Sequence, residues 1–216
     1  MKILKLVIIC LMISMFVGCS VSEQKTNLAS SSSNENSEIN SKEEDKKQEE
    51  RSKQTLWTVL DKDGNDKEMI TNDNKNVEQI IDVIEKHCSF VDNRDFNKLN
   101  VEDEYNLYSE NFIKGLEKGN YKESVDSMYK NNKLALKHEN LIWYRNYFNE
   151  DITTCKVTVE SEFIINEANK DYLDKNQMNL DEVYQEKRTY YLEKVENQWK
   201  IVNIEKSPLT KRSKTA

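Results

Sequence analysis

Two histidines and four cysteines are the groups of this 216-residue chain best able to bind a metal or act as nucleophiles. His87 and Cys88 are adjacent. Neighbouring side chains on a helix point about 100° apart, so the pair is poorly placed to share one metal ion. His87 reads as a surface or boundary residue. Cys88 follows the apolar face of a helix and Cys155 that of a strand, where free thiols behave as small hydrophobes. In an oxidising compartment a Cys88–Cys155 disulfide is permitted, although two cysteines do not specify a pair. Asp61, Asp63 and Asn65 alternate like the first ligands of a calcium loop. A full loop needs Gly at position six and Glu at twelve, whereas here Gly64 is fourth and Asn72 twelfth, so a hairpin turn is expected. Four glycines offer no phosphate-cradling loop. No metal and no cofactor is expected. The best binding candidate is the run Trp143-Tyr144-Arg145-Asn146-Tyr147-Phe148. Aromatic residues with Arg are enriched at interfaces, which makes Trp143, Tyr144, Arg145 and Tyr147 the candidate binding surface, although core packing of a strand is the favoured reading of the run.

The elements that carry these residues follow from periodicity. Leu56 to Leu60 reads as a short strand before the turn at Asp61 to Asn65. Asn76 can cap a helix whose Val77, Ile80, Ile81, Ile84 and Cys88 form one apolar face, ending near Asp92 to Phe96. A second helix is expected from Val101 to Lys118, closed by Gly119-Asn120, and a third from Tyr121 to His138. The period then changes from 3.6 to 2. Leu141 to Phe148 has strand composition. Cys155 to Ile165 alternates, with Ser161 interrupting its apolar face. Tyr184 to Val195 turns at Glu196-Asn197-Gln198 into Trp199 to Ile204. Helices followed by antiparallel strands make an α+β domain over residues 55–206, and 207–216 is expected to be a loose basic tail.

Before that domain the composition differs. Met1 to Lys5 carries two lysines and Leu6 to Val17 is apolar except for Ser14. Twelve helical residues span about 18 Å, too short for a hydrocarbon core of about 30 Å, so residues 1–18 read as a signal peptide. Residues 19–54 are nearly free of apolar side chains, from Ser30-Ser31-Ser32-Ser33 to the Lys/Glu stretch before Arg51, and are expected to be a disordered tether. Its root-mean-square reach would be roughly 30–35 Å. The chain carries a formal charge of −7, and loss of Lys2 and Lys5 with the signal leaves about −9. That sign argues against nucleic acid as a partner.

The segment Phe16-Val17-Gly18-Cys19-Ser20 resembles the bacterial lipobox, in which a cysteine receives diacylglycerol before cleavage on its amino side. Phe16 stands where Leu is usual. The resemblance implies lipid attachment at Cys19 by acyl chains of the palmitate type. The chain would then be held at the extracytoplasmic face of the cell membrane, stably so with two or more chains.

The run Phe90-Val91-Asp92-Asn93-Arg94-Asp95-Phe96-Asn97-Lys98-Leu99 and the closing hairpin from Tyr190 to Val202 resemble the nuclear-transport-factor-2-like family. The early strand and the helix near Tyr121 depart from its shortest members. The resemblance implies a cone-like fold with helices on a curved antiparallel sheet. Enzymes of that family place an Asp, His or Tyr inside the cone, which would point to Asp95, Tyr105, His138 or Tyr144 here. No motif singles one out, so the expected function is a non-catalytic binding or interaction module. The alternatives are a structural part of an envelope (conjugation or secretion) complex and an extracellular enzyme acting on a small hydrophobic substrate.

Overall fold

A computed structural model describes residues 56–212. The expected signal peptide, Cys19, the tether and the last residues of the tail lie outside the described residues. What is described is an α+β fold of helices against one large sheet.

The chain enters through strands β1 (Trp57–Leu60) and β2 (Asp66–Ile70), paired as a hairpin. Between them the Asp61 carboxylate accepts the backbone N–H groups of Asp63 at 2.9 Å and Asn65 at 2.8 Å. The N–H of Asn65 leads in drawing its pKa down. Gly64, at φ 84°, supplies the left-handed residue of the turn. The carboxylate is engaged in shaping its own loop, as the hairpin reading requires.

Helix α1 (Lys75–Asp92) is capped by Asn74, two residues before the expected Asn76, whose own N–H donates to the Asn74 side chain at 2.9 Å. It buries Val77, Ile80, Ile84 and Cys88 of the stripe expected from the spacing, leaves the expected Ile81 half-buried, and adds Val91. The second expected helix is two, α2 (Val101–Tyr105) and α3 (Glu110–Lys118). The residues between them exchange helical bonds for bonds to a strand: Ile201 donates to the Leu107 carbonyl at 2.9 Å and Ser109 donates to Ile201 at 3.0 Å. Helix α4 (Tyr121–Asn132) stops at Lys133, whose φ is 48°. Residues up to His138, expected as helix, belong instead to β3 (Ala135–Trp143).

Strand β4 (Asn146–Phe148) follows a break at Tyr144 and Arg145, so the expected single strand 141–148 is also two. Both pieces run along the same edge of β5 (Thr154–Glu167). After α5 (Lys170–Asn176), which no periodicity had announced, come β6 (Val183–Val195) and β7 (Gln198–Lys206). Their turn places Glu196 at φ 49° and Asn197 at φ 63°, the paired left-handed residues that a two-residue hairpin needs. The tail is partly ordered: β8 (Thr210–Lys211) pairs with Tyr184 and Gln185, and Arg212 meets buried Glu162 at 3.1 Å.

The sheet runs β2-β1-β4-β5-β6-β7, with β3 also on β5 and β8 also on β6. It is mixed rather than wholly antiparallel. β1 lies parallel to β4, with Asn146 donating to the Leu56 carbonyl at 2.6 Å. The helices between the two strands supply the long crossover that a parallel pair needs.

The pairing of β5 with β6 defines an inner face. Cys155, Val157 and Val159 lie opposite Leu192, Tyr190 and Arg188; Ser161 and Phe163 lie opposite Glu186 and Tyr184. Cys155, Val157, Val159, Tyr190 and Leu192 belong to one hydrophobic cluster with α1, whereas Phe163, Ile165 and Tyr184 belong to another with Val101, Val125 and Tyr129. A polar layer at Ser161, Glu186 and Arg188 lies between them.

Candidate functional site

The polar layer is held by Asp92, the last residue of α1. Arg188 grips its carboxylate with two prongs, at 2.9 Å and 2.6 Å, and Ser161 donates to it at 2.6 Å. Burial alone would raise the Asp92 pKa; the guanidinium charge outweighs it and holds the carboxyl well below its usual range. Arg188 also donates to Glu186 at 2.6 Å, and Lys206 approaches the same carboxylate at 3.2 Å. Ser161, which interrupts an apolar strand face, is therefore the strand's contribution to a buried ion pair.

From Arg188 a chain of hydrogen bonds crosses the interior. Its Nη1 reaches Cys88 Sγ at 3.7 Å, and Sγ lies 3.4 Å from the Tyr190 hydroxyl. His87 bridges two tyrosines, Nδ1 to Tyr190 and Nε2 to Tyr108, both at 2.9 Å. Tyr108 and Tyr121 both donate to Glu104, which also pairs with Arg94. Counting donors assigns the protons. Tyr108 uses its proton on Glu104, so it accepts from His87, which must carry its proton on Nε2. Nδ1 then accepts from Tyr190, whose oxygen accepts the Cys88 thiol proton, and Cys88 sulfur accepts from Arg188. Every bond runs one way, from Arg188 to Glu104, around a neutral imidazole.

The electrostatics agree with that assignment. Burial lowers the His87 pKa, and the attraction of Glu104 does not overcome it. Burial opposes ionisation of Glu104, yet contact with His87 and the charge of Arg94 bring its pKa to about 2. The Tyr108 and Tyr190 hydroxyls are pushed well up by burial first and by nearby Glu104 and Cys88 respectively.

His87, expected at a boundary, is thus a core residue with 1% exposure, because its two ring nitrogens are both satisfied internally. Cys88 and Cys155 are buried free thiols, so the permitted disulfide is absent: Cys88 is engaged by Tyr190 and Arg188. Burial raises the pKa of both.

The four residues implied by the family resemblance do not converge. Asp95 folds its carboxylate onto the N–H groups of Asn97 and Lys98, a turn-forming role. The Tyr105 hydroxyl is buried without a hydrogen-bond partner among the described residues. His138 lies on the inner face, with Nδ1 3.4 Å from Ser161 and 3.7 Å from Asp92. Tyr144 lies on the outer face, donating to Glu160 at 3.5 Å beneath the Lys187 ammonium, which is 4.3 Å from its ring.

The expected binding surface divides in the same way. Trp143 turns inward, 6.0 Å from the ring of Trp57, which in turn packs against Phe148. Tyr144, Arg145 and Tyr147 remain on the outer face. There, Thr58, Tyr147, Lys156, Tyr191 and Asn203 line up across β1, β4, β5, β6 and β7. Arg145 lies 5.7 Å from the Tyr147 ring and is tied to Asp66 at 2.5 Å; Lys156 lies 5.8 Å from the Tyr191 ring. Tyr191, Lys156 and Lys187 belong to this surface and were missed as sequence candidates. For Tyr191 and Lys156 the available signal was parity, since each stands between apolar inward residues of its strand; Lys187 stands between inward Glu186 and Arg188, so its strand gave no such signal.

Among the described residues no group of His, Cys, Asp and Glu side chains could hold a metal ion, and no helix is long and apolar enough to cross a membrane. No protein-family model and no curated protein sequence matches the chain. Solved structures similar to it include the intermembrane space region of the chloroplast protein ARC6, with 14% identity, a TM-score of 0.42, and 62% of this chain and 95% of that one covered. An IcmL-like type IV secretion system protein from Legionella pneumophila has 9% identity and a TM-score of 0.44 over 64% of this chain and 95% of that one. Bd1075 from Bdellovibrio bacteriovorus has 16% identity and a TM-score of 0.38 over 62% of this chain and 41% of that one. Likeness at this level carries no argument about activity or partners.

Proposed function

We propose that this chain is a membrane-tethered extracytoplasmic lipoprotein. Its α+β domain, of the nuclear-transport-factor-2-like type, is a non-catalytic binding module that works through the outer face of its sheet. The observation that supports the binding role is the mutual hydrogen bonding of the interior polar groups. Asp92, Arg188, Cys88, Tyr190, His87, Tyr108 and Glu104 satisfy one another. A general acid or base needs a substrate atom within hydrogen-bond reach, and these groups spend their donors and acceptors on each other. The outer face instead carries tyrosines and cations, the residue types favoured where proteins bind. The anchor rests on Lys2, Lys5, the apolar run to Val17, and Gly18-Cys19.

Two readouts on the full-length chain in cells test this reading. Growth with an alkyne-bearing palmitate analogue should label the protein and hold it in the membrane fraction, and Cys19→Ala should abolish both. Unchanged labelling in Cys19→Ala would overturn the anchor. A photo-crosslinking amino acid at Tyr147 should give discrete adducts, whereas one at Met128, exposed on α4, should not. Adducts at Met128 alone would place binding on the helical side.

A further inference from the structure

The structure opens a cleft of about 790 Å³ on the outer face of the sheet. One side is the β1–β2 hairpin with Leu60, Gly64 and Asp66, and the opposite rim includes Glu193 and Val202. Its floor is the row Tyr147, Lys156 and Tyr191, on three neighbouring strands. We propose that this cleft is a binding site for a neutral oligosaccharide, laid across the strands with sugar rings stacked on Tyr147 and Tyr191. The proposal rests on the reading of the domain as a binding module and names the ligand class of that module's outer face.

The chemistry of the lining selects the class. The volume suits a ligand of several rings, but the cleft is open, so one side of any occupant faces water. A wholly apolar ligand would gain little there, because its stabilisation scales with the apolar area removed from water. An anionic ligand, whether nucleotide or acidic peptide, would meet the carboxylates of Asp66 and Glu193, and Arg145 is already committed to Asp66. No helix N-terminus or Gly-rich turn contributes a cradle for phosphate among the lining residues. A sugar has what the cleft asks for. Its ring presents an apolar C–H face that packs on a tyrosine, while its hydroxyls both donate and accept.

The polar groups match that pattern. Asp66 and Glu193 accept hydroxyl protons and Lys156 donates to hydroxyl oxygens, while Asn149, which already donates to Thr153 at 2.9 Å, keeps one amide proton for the ligand. Two strand spacings place Tyr147 and Tyr191 roughly 9–10 Å apart, so an unstacked sugar sits over Lys156 between the two stacked ones. Lys156 has no carboxylate partner among the described residues and is held only by the Tyr191 ring, which leaves its ammonium protons available.

The test uses the full chain in detergent, titrated with chitohexaose, cellohexaose and maltohexaose by calorimetry. At least one should bind, and Tyr147→Ala and Tyr191→Ala should each weaken it by about tenfold, one aromatic stack's worth of affinity. Tyr191→Phe should bind within about twofold of the parent, because the stacking ring is kept and no hydroxyl contact is invoked. Thermal melts of the variants identify any that fail to fold; where an alanine variant does, Tyr147→Leu or Tyr191→Leu replaces it, with the same loss of about tenfold expected. Failure of all three probes at millimolar concentration would overturn the proposal, as would binding indifferent to both alanine changes. Protein adducts at Tyr147 in cells together with no saccharide binding would overturn the sugar but leave the binding-module reading standing; absence of both would remove the two together.

Discussion

Asp92 and Arg188 form a two-pronged ion pair in the interior, joining the end of α1 to the middle of β6 where two hydrophobic clusters meet. Both side chains are almost wholly enclosed, at 1% and 2% exposure. A pair so placed does not add stability simply by existing, because taking both charges out of water costs as much as their attraction returns. What it fixes is geometry: the helix end cannot slide along the sheet without exposing an unpaired charge.

Breaking that pair from one side should therefore be far worse than removing it. Arg188→Met or Asp92→Leu alone is expected to cost about 3–5 kcal/mol, whereas the two combined should cost less than the sum. Urea denaturation of the four proteins gives the cycle. Single changes costing less than about 1 kcal/mol would mean that water reaches the pair.

Acid should destabilise the fold in two stages. The unfolded His87 takes a proton near its ordinary value of 6.5, whereas the folded one, with its pKa lowered, resists. Stability is then full above pH 6.5 and declines below it, by up to about 1.4 kcal/mol per pH unit for the one proton involved. The second stage starts below 4.5, where unfolded Glu104 protonates while the folded carboxylate stays ionised to about 2. Its stabilising contribution is complete above 4.5 and is lost as pH falls through that window. His87→Phe should lower stability at pH 7 yet abolish the first stage, as read from melting temperature between pH 7 and 5. An unchanged slope in that variant would assign the proton elsewhere.

The thiols should be silent in the native state. Cys88 and Cys155 are expected to resist Ellman's reagent until guanidinium unfolds the chain, and then both to react. Their burial, which raises both pKa values, leaves little thiolate and no access. Fast native labelling of either would contradict the packing around it.

Trp143 and Tyr147, four residues apart, should answer oppositely to truncation. Trp143→Ala removes a partly buried ring packed on Trp57 and is expected to cost about 2 kcal/mol, below the range for a fully buried ring. Tyr147→Ala, on the outer face, should stay within about 0.5–1 kcal/mol and show instead in binding. Thermal denaturation separates the two, and an equal loss would place both rings in the core.

Much of the architecture was legible because it follows local rules. The apolar stripe of α1, the inward parity of Cys155 to Ile165 and the turn at Glu196-Asn197 are periodicities or backbone preferences that a few neighbouring residues express on their own. The errors occur where a distant partner overrides local preference. The helix expected through Leu107 breaks because Ile201 offers that backbone a ladder partner. The helix expected through His138 ends at Lys133 because β5 accepts the following residues as a strand. The strand expected through Tyr144 breaks because its two halves meet different lengths of β5.

The interior polar chain was foreshadowed only as anomalies. Arg188 shares the inward parity of Tyr190 and Leu192, Asp92 stands one helical turn past Cys88, and Ser161 interrupts its strand. Each alone reads as a local exception, since a buried charge makes sense only beside its counterion, and those counterions lie 96 residues apart for Asp92 and Arg188. The sequence by itself determined the α+β class, the apolar stripe of α1, the inward parity of β5 and the turn of the closing hairpin, and it supplied the short apolar run and Cys19 on which the proposed anchor rests. Tertiary structure alone decided that the interior is closed by its own charges and that Tyr147, Lys156 and Tyr191 share one outer row. Hydrogen bonding and desolvation act over a few ångströms in space, and the pairing of strands far apart in the chain sets which side chains come within that reach.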